Sequence, residues 1–430
     1  MQALYSIVIY IYGAFLHLAA LFNPKASKWV KGRKKYFTHL DAAFNNFTEN
    51  TNLTHTAWFH CASLGEFEQG RPIMESFRLK HPEYKIIVSF FSPSGYEVRK
   101  NYTGAHIITY LPLDTPRNAR LFIEKVKPDI VFYIKYEFWF NMLTYLQQQK
   151  IPTLLVSAIF RPEQHFFAWY GAWSRKLLSG FTHLFVQNES SVRLLSSVGI
   201  NNVSISGDTR FDRVAQIAQS PFENKIAETF SHKKITMVAG STWPADEALI
   251  IAMMDEISDR IRLIIAPHEI HEAHISSLMQ AFKGKAVRYS QTNETEVNDA
   301  SILIIDSIGM LSHLFRFGTL AYIGGGFGVS IHNILEPATF GLPIFFGPKM
   351  QKFKEAHDLV KLNSAFIVTN EKELTEKVKL LLDDAEQLEL ASVQSKNYVI
   401  QNTGATSMVI EFAENLVTEH SDFNKIYSAS

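Results

Sequence analysis

The chain has 430 residues, 47% hydrophobic and 20% charged, with 42 basic and 42 acidic side chains and a formal net charge of zero. That length asks for two cores rather than one, and the balanced charge offers no basic excess for binding nucleic acid. The single cysteine, Cys61, excludes an intramolecular disulfide and suits a reducing compartment, and the absence of C-x-x-C and H-E-x-x-H patterns gives no support to a metal site.

The N-terminus departs from this even composition. Leu4 to Phe22 contains no Asp, Glu, Lys or Arg, close to the roughly 20 residues that span a bilayer core. Lys25, Lys28, Lys31, Arg33, Lys34 and Lys35 follow with no acid among them. Basic residues after an apolar run place that side in the cytoplasm and attract anionic headgroups, whereas a cleaved signal carries its charge ahead of the run. Residues 1–22 are therefore expected to form a membrane anchor or an interfacial helix, with a buried first helix as the alternative.

From residue 57 onward, short apolar runs alternate with amphipathic stretches. Strands are expected at Ala57–Ala62, Lys85–Phe91, His106–Tyr110, Ile130–Ile134, Thr153–Ser157, His183–Gln187 and Val203–Ser206. A second series follows at Ile235–Gly240, Ile261–Ala266, Ala286–Tyr289, Ser301–Asp306, Leu320–Gly324, Pro343–Phe346 and Ala365–Val368. Helical patterns such as Phe67–Lys80 and Pro116–Val126 lie between them, and strand–helix–strand alternation implies parallel sheets. The polar stretch Phe211–His232 suits a linker. The expected architecture is α/β: two Rossmann-like, doubly wound parallel-sheet domains, 23–215 and 216–395, facing a cleft, with a C-terminal helix and tail over 396–430. Ligands of such sheets bind at strand C-terminal ends.

Several strand ends carry chemistry. After the first strand, Ser63 and Gly65 let a substrate approach the backbone, and Glu66 arrives near a helix start, where it suits a general base or an ordinary first-turn acid. Glu137 follows the fourth strand amid aromatics, facing the same edge or bridging to a basic side chain. Arg210 could offset charge on a leaving phosphate or form an interdomain pair with an aspartate. Gly240, Ser241 and Thr242 precede a helix and suit an anion or a plain helix cap. Pro267 and His268 end another strand, where His268 either contacts a nucleotide or sits on the surface. The run containing Gly325 and Gly326 matches neither a dinucleotide fingerprint nor a P-loop; it leads to Asn333, Ile334, Leu335 and Glu336, whose carboxylate could accept both ribose hydroxyls.

Together, Ala62-Ser63-Leu64-Gly65-Glu66, Glu137-Phe138-Trp139, Gly240-Ser241-Thr242 and Asn333-Ile334-Leu335-Glu336-Pro337 resemble the family that transfers 3-deoxy-D-manno-octulosonic acid (Kdo) to a lipid A precursor in lipopolysaccharide synthesis. The resemblance runs to about residue 410. It implies a GT-B type glycosyltransferase with an acceptor-binding first domain and a nucleotide-sugar second domain, CMP-Kdo as donor substrate, inversion, and no metal or cofactor. Glu66 is implied as the base, with Glu137 and Arg210 stabilising the transition state. CMP is implied around Pro267-His268, Ile308-Gly309-Met310 and Asn333 to Glu336. The implied partners are CMP-Kdo, a lipid A precursor and the membrane, with no nucleic acid and no protein partner, and the implied location is the cytoplasmic side of a bacterial inner membrane. The chain departs from the family at His268 (Arg), Arg210 (Lys), Met310 (Glu), Lys135 (Glu) and Phe140 (Pro). A UDP-sugar glycosyltransferase and a nonhydrolysing sugar-nucleotide epimerase are the alternatives.

Overall fold

The computed structural model describes residues 2–48 and 53–428, with side chains described except over 46–48 and 419–428; residue 1 of the expected anchor and residues 429–430 of the expected tail lie outside. The chain divides into two compact units, Met1–Arg213 with Thr403–Ser430, and Val214–Asn402. Each holds one seven-stranded parallel sheet.

In the first unit the strands are β1 (His55–Cys61), β2 (Tyr84–Phe90), β3 (Ile107–Tyr110), β4 (Ile130–Ile134), β5 (Thr153–Ala158), β6 (His183–Val186) and β7 (Val203–Ile205), ordered β3-β2-β1-β4-β5-β6-β7. In the second they are β8 (Thr236–Thr242), β9 (Arg262–Pro267), β10 (Ala286–Arg288), β11 (Ile302–Ile304), β12 (Leu320–Ile323), β13 (Ile344–Phe346) and β14 (Ala365–Ile367), ordered β10-β11-β9-β8-β12-β13-β14. Both orders reverse direction beside their first strand, so β1 and β4, and β8 and β12, flank the points where parallel sheets take ligands. Both faces of the central strands are covered, which is why β2, β4 and β5 are buried at every position.

Two stretches differ from the sequence expectation. The segment read as a linker forms the helices Thr209–Gln219 and Lys225–Ser231, because Phe211, Val214, Ala227 and Phe230 bury an apolar stripe that its polar residues mask. The C-terminal helix Ala405–Ser428 returns to the first unit, where Val409, Ile410 and Ala413 join the core of β1, β2 and β4.

Three helices precede β1: α1 (Gln2–Ala19), α2 (Pro24–Gly32) and α3 (Tyr36–Thr48). One stripe of α1 packs on the first unit through Ser6, Ile9 and Gly13, and the Gly13 backbone approaches Leu113 so closely that a Cβ would stand 2.6 Å from its Cδ2. The opposite stripe, with Leu4, Ile7, Val8, Ile11, Phe15 and Leu18, is exposed. The docking is also polar. Asp114, fully buried, accepts from the Tyr5 hydroxyl at 2.8 Å, from Asn141 N at 2.9 Å and from Met142 N at 2.9 Å. The last two are first-turn amides of the helix Phe140–Gln148. One carboxylate thus satisfies a helix start and pins α1 to it.

Burial pushes the Asp114 carboxyl up to about 6, opposed by these donors. Removing it strands three buried donors at once, at a cost of about 3 kcal/mol or more. Asp114→Ala is expected to lower the melting temperature of the detergent-solubilised protein by about 6 °C or more. Melting unchanged from the wild type would show that α1 and the helix start are held by packing alone.

Candidate active site

In the first unit, β1 ends at Cys61 and helix α4 (Leu64–Lys80) begins three residues later, with Ser63 as its N-cap and Glu66 in its first turn. The Glu66 carboxylate turns back on its own helix start and accepts from Ala62 N. The Ser63-x-x-Glu66 spacing is that of a capping box, a signal present in the sequence, but only the glutamate half forms: the Ser63 hydroxyl makes no cap bond. Gly65 is exposed, and a Cβ built on it meets nothing within 4 Å, so space is open beside the carboxylate. A neighbour holds the turn from behind, where Ser92 N donates to Ala62 O at 2.7 Å.

The adjacent strand β4 ends at Ile134, and Lys135 turns the chain through a left-handed conformation, φ 66°. Glu137 then lies 3.6 Å from Nε2 of His60, a fully buried histidine of β1. Trp139 Nε1 donates to the same nitrogen at 3.2 Å, which leaves the ring proton on Nδ1, where it meets Ser89 Oγ at 2.9 Å. Ser89 Oγ also accepts from Trp58 Nε1 at 2.8 Å. This buried network of His60, Ser89, Trp58 and Trp139 fixes the loop that carries Glu137. Sequence reading assigned it no role, since each residue alone reads as core.

Glu66 and Glu137 act on one another. Burial, then the Glu137 charge, push the Glu66 carboxyl up to about 7, against the amides of Ala62 and Ser63 and the charge of Lys135. Cys61 beneath them is buried and its thiol is pushed well up, first by burial, so it stays neutral. Arg210 reaches the same strand ends: Tyr136 lies within the fields of Arg161, Asp208, Arg210 and Glu66. Its Nε pairs with buried Asp208 at 2.8 Å, and Gln69 donates to Asp208 at 3.0 Å. The pair is local to the first unit, where an interdomain one was the alternative reading of the sequence, and it orients the guanidinium.

The second unit gathers its own cluster at the ends of β8, β9 and β12. Ser241 sits at φ 53° in a bulge of β8. Thr242 is buried and its hydroxyl donates to Glu247 at 3.0 Å, while Trp243 N donates to Asp246 at 3.0 Å. The Thr242 hydroxyl and the Trp243 amide are thus engaged inside the protein, which leaves the Ser241 hydroxyl as the side-chain group of Gly240–Thr242 without such a bond among the described residues. The exposed ring of His268 stacks on Trp243 at 4.4 Å and on His332 at 4.7 Å, and Trp243 Nε1 donates to His332 Nε2 at 3.2 Å. These three rings form an aromatic cluster, and the sequence reading gave neither Trp243 nor His332 a role of its own.

Close chain packing accounts for much of the glycine run. A Cβ on Gly324 would lie 2.3 Å from Ser241 O, and one on Gly326 2.6 Å from Gly347. Gly325 and Gly326 are buried, so substrate approach is not what demands them. Ile334 and Leu335 are likewise core side chains and present only backbone. Asn333 donates to Glu336 at 3.1 Å, and Pro267 is buried at its strand end. Ile308 and Gly309 are exposed, the latter at φ 102°, and Met310 lies behind them with its sulfur 3.7 Å from Ser307 Oγ. No group of three or more potential metal ligands occurs among the described residues.

Residues 35–213 match the family described as 3-deoxy-D-manno-octulosonic-acid transferase (kdotransferase). The chain is 28% identical over 347 residues to the 3-deoxy-D-manno-octulosonic acid transferase of Aquifex aeolicus, covering 79% of this chain and 89% of that protein. It is 22% identical over 365 residues to the Haemophilus influenzae protein of the same name, covering 82% and 85%. Among solved structures, the UDP-GlcNAc 2-epimerase of Neisseria meningitidis aligns with a TM-score of 0.58 at 15% identity, over 84% of this chain and all of that one. MurG of Acinetobacter baumannii aligns with a TM-score of 0.51 at 11% identity, over 84% and 99%. At these identities the structural likeness is one of fold.

A carboxyl raised by burial favours its protonated form in the folded state. Its stabilising share is complete below the ordinary value of 4.5 and is lost as pH rises through about 7. Glu66→Gln keeps an acceptor for Ala62 N without the charge. It is expected to raise the melting temperature by about 2–4 °C at pH 8, roughly 1 kcal/mol after discounting for partial solvent access, and to leave it unchanged at pH 4.5. Equal melting of the two proteins at pH 8 would mean that Glu66 titrates in the ordinary range.

Proposed function

The chain belongs to the Kdo transferase family of GT-B glycosyltransferases, and from that premise we propose that it moves Kdo from CMP-Kdo to a hydroxyl of a lipid A precursor with inversion at the anomeric carbon. The observation that carries this reading is the half-buried Glu66, pushed up to about 7 beside Glu137, with open space at Gly65. A base with that affinity for protons is balanced between its two forms at neutral pH, where proton transfer is most effective.

In this reading the Glu66 carboxylate accepts the proton of a glucosamine hydroxyl. The hydroxyl oxygen forms a bond to the anomeric carbon of Kdo as the bond to the CMP phosphate oxygen breaks, and CMP leaves with the electron pair. Glu137 favours positive charge developing at the sugar ring, and Arg210, held in plane by Asp208, meets the departing phosphate. The second unit supplies nucleotide recognition. The His268 shelf offers a stacking face for cytosine, Ser241 offers a hydroxyl, and Glu336, steadied by Asn333, offers acceptors for ribose. The break from the family arginine at His268 is met by stacking in place of charge.

Membrane attachment belongs to the same proposal. The exposed stripe of α1 and the basic residues that follow it suit a helix lying in the interface of an anionic leaflet. The polar docking of its other stripe along the first unit, from Gln2–Asn141 to Gly13–Leu113, favours lying over crossing. A lipid-linked acceptor confined to the same surface is then met at high effective concentration.

Incubation with CMP-Kdo and tetra-acylated lipid A precursor, read by mass spectrometry, tests the reaction. Glu66→Gln is expected to lose about 10²–10⁴-fold in kcat with CMP affinity unchanged, and wild-type kcat/KM is expected to fall tenfold per pH unit below about 7. Full turnover in Glu66→Gln removes Glu66 from the mechanism. For attachment, truncating α1 would also strip Tyr5 from Asp114, so a cleaner variant changes exposed positions only. Ile11→Gln, Phe15→Gln and Leu18→Gln together are expected to move the protein to the soluble fraction with its melting temperature unchanged, and retention on membranes would assign attachment elsewhere.

A further inference from the structure

A cavity of about 570 Å³ opens between α1, α2, the start of α3 and the loop after β3, and nothing in the reaction above uses it. Its wall is unusual in charge. Lys31, Arg33 and Lys34 line it together with His17, Trp29 and Leu113, and no Asp or Glu does so among the described residues. Lys31 and Lys34 are exposed and make no ion pair among those residues.

Arg33 sharpens the point. Its guanidinium lies 3.8 Å from the Trp29 ring centre and 4.7 Å from that of Tyr110, and it donates to the carbonyls of Leu111 at 2.8 Å, Phe91 at 2.9 Å and Trp29 at 3.3 Å. These are neutral acceptors, and no carboxylate pairs with it among the described residues. Burial pushes the group down to about 9. A buried cation ordinarily has a counterion, and this one has none. Trp29, 5% exposed, adds a second unmet demand in the same wall: its Nε1 is buried without an acceptor.

Two further features fix the kind of anion. The cavity adjoins α1, whose Gly13 and His17 stand at its edge and whose outer stripe is apolar and exposed. Packed rings link its inner wall to the loop that carries Glu137. Phe91, whose carbonyl Arg33 holds, packs edge-on against Trp29 with ring centres 5.7 Å apart and lies tilted against Trp139 at 4.5 Å, and Trp139 is bonded to His60 beside Glu137. The charges of Arg33 and Glu137 both act on the Tyr12 hydroxyl of α1. A ligand bridging these features has an anionic group for the cavity, apolar chains for the α1 side and a head that reaches the strand ends.

We propose that this cavity is a subsite for the phosphate of a bilayer-held lipid, seated on Lys31 and Lys34 in the field of Arg33. The proposal rests on the acceptor reading above and gives it a place: the cavity holds a phosphate of the lipid while a hydroxyl of its sugar faces Glu66. Arg33 acts as a positioning residue, because three of its five N–H donors are held by backbone carbonyls and fix the guanidinium in the wall.

The test uses the full chain in a nonionic detergent, so that general attraction to an anionic bilayer is absent. Binding of tetra-acylated lipid A precursor, of the same lipid after phosphatase treatment, and of inorganic phosphate is measured by thermophoresis. The precursor is expected to bind about tenfold more tightly than its dephosphorylated form, and Lys31→Ala with Lys34→Ala to lose the same about tenfold. Lys25→Ala with Lys28→Ala, an equal change of charge outside the cavity, is expected to bind as the wild type. Failure of millimolar inorganic phosphate to displace the lipid marks a lipid subsite; displacement by it at equal concentration would make the cavity a site for free phosphate and overturn the proposal. So would unchanged binding in the Lys31/Lys34 variant, or an equal loss in the Lys25/Lys28 variant. Lysine-dependent binding in a protein that transfers no sugar would leave the subsite standing and sink the functional reading. Normal transfer with an unchanged acceptor KM in the Lys31/Lys34 variant would do the reverse.

Discussion

Two carboxylates held close together at the ends of adjacent buried strands repel one another, and neither wishes to leave water. Glu66 and Glu137 stand in that relation, and the first unit is organised around keeping them there. Glu66 is held by amides of its own helix start, so it cannot swing away without uncapping α4. Glu137 sits on a loop clamped at both ends. Lys135 locks one end in a left-handed turn, and Asp114 locks the other by satisfying the first amides of the following helix. The His60–Ser89–Trp58–Trp139 network fills the space behind. The cost of this arrangement is stability, and what it yields is a carboxyl that titrates at neutral pH.

The same constraint ties the N-terminal helices to the chemistry. Asp114 is shared between the helix start that follows the Glu137 loop and Tyr5 of α1, so the apolar helix is an element of the fold and not an appendage. Arg33 plays the matching role at the other end of the N-terminal region, where its guanidinium joins α2 to the carbonyls of Phe91 and Leu111. Phe91 lies tilted against Trp139, so a displacement of α2 would be felt within two contacts of Glu137. The N-terminal helices and the loop that carries Glu137 are thus mechanically continuous in the first unit.

Much of the fold was legible because buried parallel strands read as uninterrupted apolar runs bounded by turn residues. All fourteen runs formed strands, most within a residue or two of their expected ends. What failed was polarity as a guide to helices: Thr209–Gln219 and Lys225–Ser231 are mostly polar yet bury Phe211 and Phe230. The site was legible only in part, and for different reasons at each residue. Glu66 stood out by its strand-end position. Arg210 stood out by its charge, but its partner Asp208, two residues away, was not read from the sequence, where an interdomain pair was the alternative. Thr242 and Gly326 are engaged by the fold itself, and a hydroxyl ahead of a helix and a glycine in a loop read alike whether they serve a ligand or the fold. His60, Trp243 and His332 act through partners about 30 to 90 residues away, which no local pattern announces.

The central claim is that Glu66 is poised near neutrality by burial and by Glu137. Carboxyl-region infrared difference spectroscopy of protein with ¹³C-labelled glutamate, wild type minus Glu66→Gln, isolates its titration without substrate or turnover. The account predicts a protonated carboxyl band that is lost with a midpoint of about 7. A midpoint at the ordinary 4.5 would mean that Glu66 is a plain helix-capping acid and that the proposed base must be sought elsewhere.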